Sequence, residues 1–223
     1  MLTLVLLTVA SYLIGAVPMA YIAGRLLSGI DLRRYGSGNV GASNVFQSVA
    51  GWAVVPVGLI EIVQGMAGIG AAKLLDQDVA VQVVVGLAAI MGQTWSVYLG
   101  LTGGRGIGPA IGFMLYLAPP VLVAFTIVSL AGALARSYPL TVGLGVALAP
   151  IAAIISGSAG PVAAGCFGMA VIVFGKRLLT NRIELPQGQD WRDVLLARLL
   201  FDRDVRDRDA WVRRAPRDNG RPR

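Results

Sequence analysis

The chain has 223 residues, 56% of them hydrophobic and only 14% charged, with a net charge of +7 and a mean hydropathy of +0.71. Soluble domains carry about a quarter charged residues, so the composition excludes an ordinary water-soluble domain and points to an integral membrane protein. There is no histidine and one cysteine, Cys166, which removes an intrachain disulfide together with the commonest general base and metal ligand.

The basic excess is uneven. Before Gly175 there are six Lys or Arg against four Asp or Glu, and from Gly175 onward thirteen against eight. Anionic lipid headgroups account for such a tail better than nucleic acid does, the alternative being a tail that its charges merely keep solvated. The early acidic residues, Asp31, Glu61, Asp76 and Asp78, are scattered, so no metal site is expected, and nothing in the chain asks for a cofactor.

In chain order, Leu2–Leu27 is a first apolar span, longer than the roughly 20 residues a bilayer requires. It has no positive region ahead of it and no small-residue cleavage site, so an uncleaved helix is expected. Pro18 lies inside it, tolerable where neighbours satisfy the carbonyl it frees. Arg25, Arg33 and Arg34 follow, and then Tyr35–Asn44, YGSGNVGASN. Glycines let backbone N–H groups converge, and such a concavity binds anions. Trp52–Leu75 is the second span, with Glu61 and Gln64 one turn apart on one face. Val79–Leu99 is the third, ending in Gln93, Trp95 and Tyr98 as an interfacial belt would. A second glycine cluster, Thr102–Gly108 (TGGRGIG), comes next.

Pro119–Pro120, Arg136 with Tyr138, and the SGSAG stretch at Ser156–Gly160 cut the next region into pieces at about 109–118, 120–135, 138–155 and 159–174. The first is short enough to require a partial or locally thinned crossing. Counting all four gives seven crossings. With the N-terminus outside, Arg25, Arg33, Arg34, Arg105, Arg136, Lys176 and Arg177 then all fall inside, and Lys73 is the one outside cation. That obeys the positive-inside rule, whereas six crossings would put the basic tail outside. The expected fold is an all-α polytopic membrane protein of seven transmembrane helices, some short or broken, N-out and C-in. Residues 1–175 form the membrane domain and 176–223 a cytoplasmic basic tail. Within the tail, Trp191–Phe201 is a short amphipathic helix with Asp190 as its cap, and Ala215–Arg223 is expected to be disordered.

At Gly36, Ser37, Gly38, Asn39, Gly41, Ala42 and Asn44 the chain resembles the acyl-phosphate:glycerol-3-phosphate acyltransferase family of bacteria, the PlsY type, with Ser43 in place of that loop's threonine. Gly15 and Pro18 match its upstream Gly-x-x-Pro, and Ile30, Asp31, Leu32 and Arg33 its Ile-Asp-Leu-Arg lead-in. Gly103, Gly104, Arg105 and Gly106 resemble its Gly-Gly-Lys-Gly loop. Lys176, Arg177 and Leu178 resemble its closing Lys-Arg-Leu, with Glu184 near the last glutamate. The similarity runs over roughly residues 11–185. It departs at Gln47 for an arginine, at Glu61-x-x-Gln64 for Asp-x-x-Lys, at Gln93 for a histidine, at Arg105 for the loop lysine and at Leu140 for a serine. Nothing between Ala170 and Gly175 resembles the family's His-Arg-x-Asn.

The resemblance implies transfer of a fatty acyl group from acyl phosphate to the 1-hydroxyl of glycerol 3-phosphate, giving lysophosphatidate for phospholipid synthesis. It places the chain in a bacterial cytoplasmic (inner) membrane with acyl phosphate, glycerol 3-phosphate and membrane lipids as partners; no nucleic acid is expected, and oligomeric state stays open. Ser37 and Asn39 are the candidate catalytic residues. Gly38, Gly41, Asn44, Gly103, Gly104, Arg105, Gly106, Lys176 and Arg177 are the candidate phosphate ligands. The alternative is an altered member that binds a lipid phosphate or phospholipid without this turnover. A transporter is a weaker reading, since beyond Glu61 no charged relay lines the spans. Alternatives stay open for single residues too. The glycines, Gly108 and Gly112 among them, are also suited to close helix packing, and Glu61 to a buried carboxylate bonded to Gln64 or a backbone group. Arg136 is expected to fix topology, and Lys176–Arg177 to bind phosphate or to lie among headgroups.

Overall fold

A computed structural model describes residues 1–36, 38–135, 137–181 and 190–202, and ten α-helices make up nearly all of their regular structure. Ser37, Arg136, Glu184 and the segment 215–223 lie outside the described residues. The first apolar rod is broken at Val17–Pro18 into α1 (Leu2–Ala16) and α2 (Met19–Ser28). Proline has no N–H to give Ile14, four residues back. The side-chain amide of Gln64, from α4 (Val54–Leu74), donates instead to the Ile14 and Val17 carbonyls at 2.9 and 3.1 Å. The neighbour that Pro18 requires is therefore present, and it is Gln64.

Short α3 (Ala42–Ser48) follows the first glycine loop. α5 (Val79–Thr94) is capped by Asp78, whose carboxylate accepts the Val81 N–H at 2.9 Å. It stops five residues before the expected Leu99. There Ser96 donates its hydroxyl to the Ala16 carbonyl, and Gly100 and Leu101 both take left-handed backbone, so the chain folds into a tight turn at the bundle's end.

α6 (Ile107–Leu117), α7 (Pro119–Leu134), α8 (Tyr138–Ile155) and α9 (Gly160–Leu179) complete the bundle. α9 runs one turn past the expected end and carries Lys176 and Arg177 within it. α10 (Trp191–Phe201) forms over the expected residues, with the Asp190 carboxylate accepting the Arg192 N–H. Leu2–Ser28, Gly51–Leu74, Tyr138–Ile155 and Gly160–Leu179 are long and apolar enough to cross a membrane, while Val79–Thr94, Ile107–Leu117 and Pro119–Leu134 are apolar but shorter.

Small residues set the helix spacing. A Cβ on Gly15 would fall on the Ala89 backbone and one on Gly92 on the Tyr12 carbonyl, so α1 and α5 touch main chain to main chain. Hydroxyls rung the same seam, Ser11 to the Val85 carbonyl at 2.8 Å and Tyr12 to the Trp95 carbonyl at 2.6 Å. Gly65 and Gly112 bring α4 against α6 in the same way, and Gly108 rests on the Glu61 side chain, so the Gly108-x-x-x-Gly112 pair is a packing feature. The interior holds Ile69, Phe113, Met114, Val146 and Met169. Val5, Leu6, Val9, Leu59, Val63, Ile127 and Leu130 face outward, as expected where the surroundings are lipid.

Candidate active site

The first glycine loop is folded by its own polar residues. The Arg33 guanidinium grips Asp31 through both carboxylate oxygens, at 3.0 and 2.7 Å, and holds that carboxyl below its usual range. Gly36 and Gly38 take left-handed φ angles of 53° and 69°, which a side chain would strain. Asn44 is buried beneath them. Its Nδ2 lies 3.1, 3.1 and 2.9 Å from the Leu32, Tyr35 and Asn39 carbonyls, and its Oδ1 accepts from Ser48.

This geometry corrects the expected phosphate role of Asn44 and of the Gly38 N–H, whose donors are spent within the loop. Asn44 is occupied in closing the loop and presents nothing to a phosphate. The Gly38 N–H donates to the Tyr35 carbonyl at 2.9 Å. Gly41 is extended, and its carbonyl accepts the Asn44 and Val45 N–H groups. Asn39 is buried at the same place.

The second loop is stapled by Gln93. Its main-chain carbonyl accepts the Gly104 N–H at 2.9 Å, and its side-chain carbonyl accepts the Gly106 N–H at 2.7 Å. Gln64 gives its side-chain amide to the Ile14 and Val17 carbonyls rather than to Glu61. A Cβ on Gly103 or Gly104 would collide with Gln93. The Gly103 N–H donates to Asn181 Oδ1 at 3.3 Å. An amide nest at Gly103, Gly104 and Gly106 is therefore not formed, because these donors turn inward; the glycines permit close approach instead.

The loops meet directly. The Val40 N–H donates to the Gly103 carbonyl at 3.2 Å. Asn181, one turn beyond Arg177, donates to the Gly38 carbonyl at 3.2 Å and to the Gly103 carbonyl at 2.7 Å. Segments distant in sequence thus share one end of the bundle with the last turn of α9.

That end carries cations. Arg105 Nη1 donates to the Lys176 carbonyl at 2.7 Å, and Arg105 Nε lies 2.8 Å from a carboxylate oxygen of Asp202, just after α10. The N–H is not aligned on that oxygen, so the contact is a charge pair more than a directed hydrogen bond. Lys176 is 2% exposed, its ammonium 5.4 Å from the centre of the Trp95 ring. Arg177 is turned elsewhere. Its guanidinium donates to the Leu199 and Pro139 carbonyls at 2.9 and 3.0 Å, which ties α10 to α8 and α9 and corrects its expected phosphate role. Among the described residues, Asp202 is the one carboxylate paired with this cation group. No three His, Cys, Asp or Glu side chains cluster among them. An apolar groove between α7 and α8, lined by Val121, Phe125, Leu148 and Ile155, lies on the far half of α8 and offers no phosphate ligand.

Of the expected site residues, the structure thus joins Gly38, Asn39, Gly41, Gly103, Gly104, Arg105, Gly106 and Lys176 at one place. Sequence reading assigns no role to Asn181 or Asp202, and places Gln93 and Trp95 in an interfacial belt. Gln93 stands where the resembled family has histidine, and that was the one available signal.

A sequence model of the family described as glycerol-3-phosphate acyltransferase matches residues 5–184. The chain is 35% identical over 220 residues to glycerol-3-phosphate acyltransferase 5 of Dehalococcoides mccartyi (strain ATCC BAA-2266 / KCTC 15142 / 195), covering 96% of this chain and 94% of that one. It is 36% identical over 212 residues to glycerol-3-phosphate acyltransferase 4 of Dehalococcoides mccartyi (strain CBDB1), covering 92% and 91%. Among solved structures it is similar to PlsY, an integral membrane glycerol 3-phosphate acyltransferase, in its glycerol 3-phosphate form. The TM-score is 0.73 at 26% identity, over 78% of this chain and 88% of that one.

Proposed function

The chain belongs to the glycerol-3-phosphate acyltransferase family, and from that premise we propose that it transfers a fatty acyl group from acyl phosphate to the 1-hydroxyl of glycerol 3-phosphate at a bacterial inner membrane. Acyl transfer to glycerol 3-phosphate, an early step of phospholipid synthesis, is its reaction. The observation that carries the site is the meeting of the two loops, through Val40, Gly103 and Asn181, beside a buried group of cations that, among the described residues, exceeds its one paired carboxylate. Buried charge of one sign requires a counter-charge, and a substrate phosphate supplies it.

In this reading Arg105 and Lys176 hold phosphate by charge, Arg105 through the donors that Asp202 and Lys176 leave it. Asn39 and Ser37 are assigned the stabilisation of the reacting carbonyl, as the family resemblance implies. The hydroxyl oxygen of glycerol 3-phosphate attacks the acyl carbon, the acyl–phosphate C–O bond breaks, and inorganic phosphate leaves. A substrate phosphate, with a second pKa of about 6, takes the hydroxyl proton, so no histidine is needed. The glycines act by letting Gln93 and Asn44 draw the loops tight.

Seven crossings, N-out and C-in, fit this site. The ends of α2, α5 and α9 converge there, which supports an even number of crossings between successive site segments and so an odd total. Seven of the eight cations up to Arg177 fall on one side in the positive-inside pattern, Lys73 being the exception, so that face is the cytoplasmic one.

The test is purified protein supplied with acyl phosphate and glycerol 3-phosphate. Lysophosphatidate is expected from the wild type, with turnover lost in Ser37→Ala and impaired through a raised KM in Arg105→Ala. Absence of lysophosphatidate above the lipid blank, with lipid phosphate still bound, would leave the binding-only alternative.

A further inference from the structure

α10 lies beyond residues 5–184, where the family match ends, yet it delivers a carboxylate to a residue of the glycine loop. We infer that Asp202 is a positioning residue for Arg105: it fixes the guanidinium so that its remaining donors meet substrate phosphate. The inference rests on the reading of Arg105 as a phosphate ligand.

Three observations carry it. First, the contact is short and sheltered: 2.8 Å, with the Arg105 and Asp202 side chains 10% and 24% exposed. Second, the guanidinium is held on two sides, by charge pairing with Asp202 beside Nε and by a hydrogen bond from Nη1 to the Lys176 carbonyl. An arginine has five N–H donors in a rigid fork, so two restraints still leave donors for a phosphate. The family loop that this segment resembles has lysine there. Lysine is a point charge on a flexible stem, and a second-site carboxylate would neutralise it without orienting it. Arg105 and Asp202 thus make sense as one unit.

Third, α10 is strapped down. Val194 and Ala197 are buried, Arg198 donates to the Leu178 carbonyl at 3.2 Å, and Arg177 donates to the Leu199 carbonyl. The helix ends with Asp202 itself in left-handed conformation, its N–H donating to the Arg198 carbonyl. A carboxylate that merely occupied the phosphate seat until substrate arrived would have to leave, and these ties oppose that.

The experiment is steady-state acyl transfer by the full chain in detergent, varying each phosphate-bearing substrate, for wild type, Asp202→Asn, Asp202→Glu, Arg105→Ala and the Arg105→Ala/Asp202→Asn double variant. Asp202→Asn is expected to raise the KM of one substrate about tenfold while kcat changes less than twofold and the melting temperature stays near wild type. Asp202→Glu restores part of that KM, and Asp202→Asn adds nothing in the Arg105→Ala background. A KM that is unchanged or lower in Asp202→Asn, while Arg105→Ala is impaired, overturns the positioning role; the lower value identifies a competing occupant instead. Equal added losses in both backgrounds overturn it too, in favour of a purely structural α10. If Arg105→Ala itself leaves both KM values unchanged, it is the phosphate-site reading that fails.

Discussion

The side-chain amide of Gln64 donates to the Ile14 carbonyl at 2.9 Å, the carbonyl that Pro18 deprives of its helical donor. A break in an apolar helix exposes polar main chain where no water can reach it, and membrane proteins contain such breaks only where protein re-satisfies them. Gln64→Leu removes that donor at nearly constant volume. Unfolding of the purified protein in detergent is expected to show a loss of about 1–2 kcal/mol. A variant as stable as wild type would mean that the Val17 N–H, 3.2 Å from the same oxygen, is enough alone.

How much of this was legible beforehand follows from the range of the interactions. The apolar runs, Pro18, Asp78 and Asp190 act within a turn or two of themselves, and the helices they define lie close to where the sequence puts them. The glycine loops were legible as a pair, but not the direction of their N–H groups. That direction is set by Gln93 and Asn181, and Asn181 acts across more than seventy residues. Likewise Arg177 sits beside Lys176 in sequence, yet a helix turns adjacent residues about 100° apart. One side chain points at the loops and the other at α10.

Asn181 joins both loops through one amide, so its removal separates them without deleting any expected catalytic group. Asn181→Leu is expected to lower kcat/KM on the order of 100-fold, the cost of a displacement near 1 Å at a positioned site, with membrane insertion and expression unchanged. Full activity in this variant would show that the Val40–Gly103 hydrogen bond holds the loops together by itself.

Gly103 has no room for a methyl group, since a Cβ there would meet the carbonyls of Gln93 and Thr94, whereas a Cβ on Gly58 meets nothing within 4 Å. Overpacking against main chain costs about 1–3 kcal/mol. Gly103→Ala should therefore lose most acyl transfer while Gly58→Ala keeps it, both read in the same lysophosphatidate assay. Comparable activities would refute the close approach of loop and α5.

Asp31 and Arg33 predict an acid limb. The Arg33 guanidinium holds the Asp31 carboxyl below its ordinary 3.8, so the unfolded chain takes up this proton at higher pH than the folded one. The stabilisation is complete above about pH 4 and is lost as pH falls through the lower folded value. With Arg33 about a third exposed, solvent screens the pair and the effect is modest. Melting temperature against pH should fall below pH 4 more steeply in wild type than in Asp31→Asn, and the two profiles should run parallel from pH 5 to 8. Parallel profiles throughout would sink the assignment.

Lys176 separates a site residue from a scaffold residue by sign. Its ammonium is buried against Trp95 and has no carboxylate partner among the described residues. An unpaired buried charge opposes folding, so replacing it with an apolar side chain of similar length is neutral or stabilising. Lys176→Met should keep or raise the melting temperature while kcat/KM falls about 100-fold, since a phosphate at the site loses one of its two cations. Arg177→Met should behave in the opposite sense. It strips the Leu199 and Pro139 carbonyls of their donors, and a buried group left unsatisfied costs about 1–3 kcal/mol, so its melting temperature drops. Measuring both variants by thermal unfolding and by turnover gives two opposed pairs of signs. Should Lys176→Met unfold more readily than Arg177→Met, Lys176 is scaffold, and the phosphate is held by Arg105 alone.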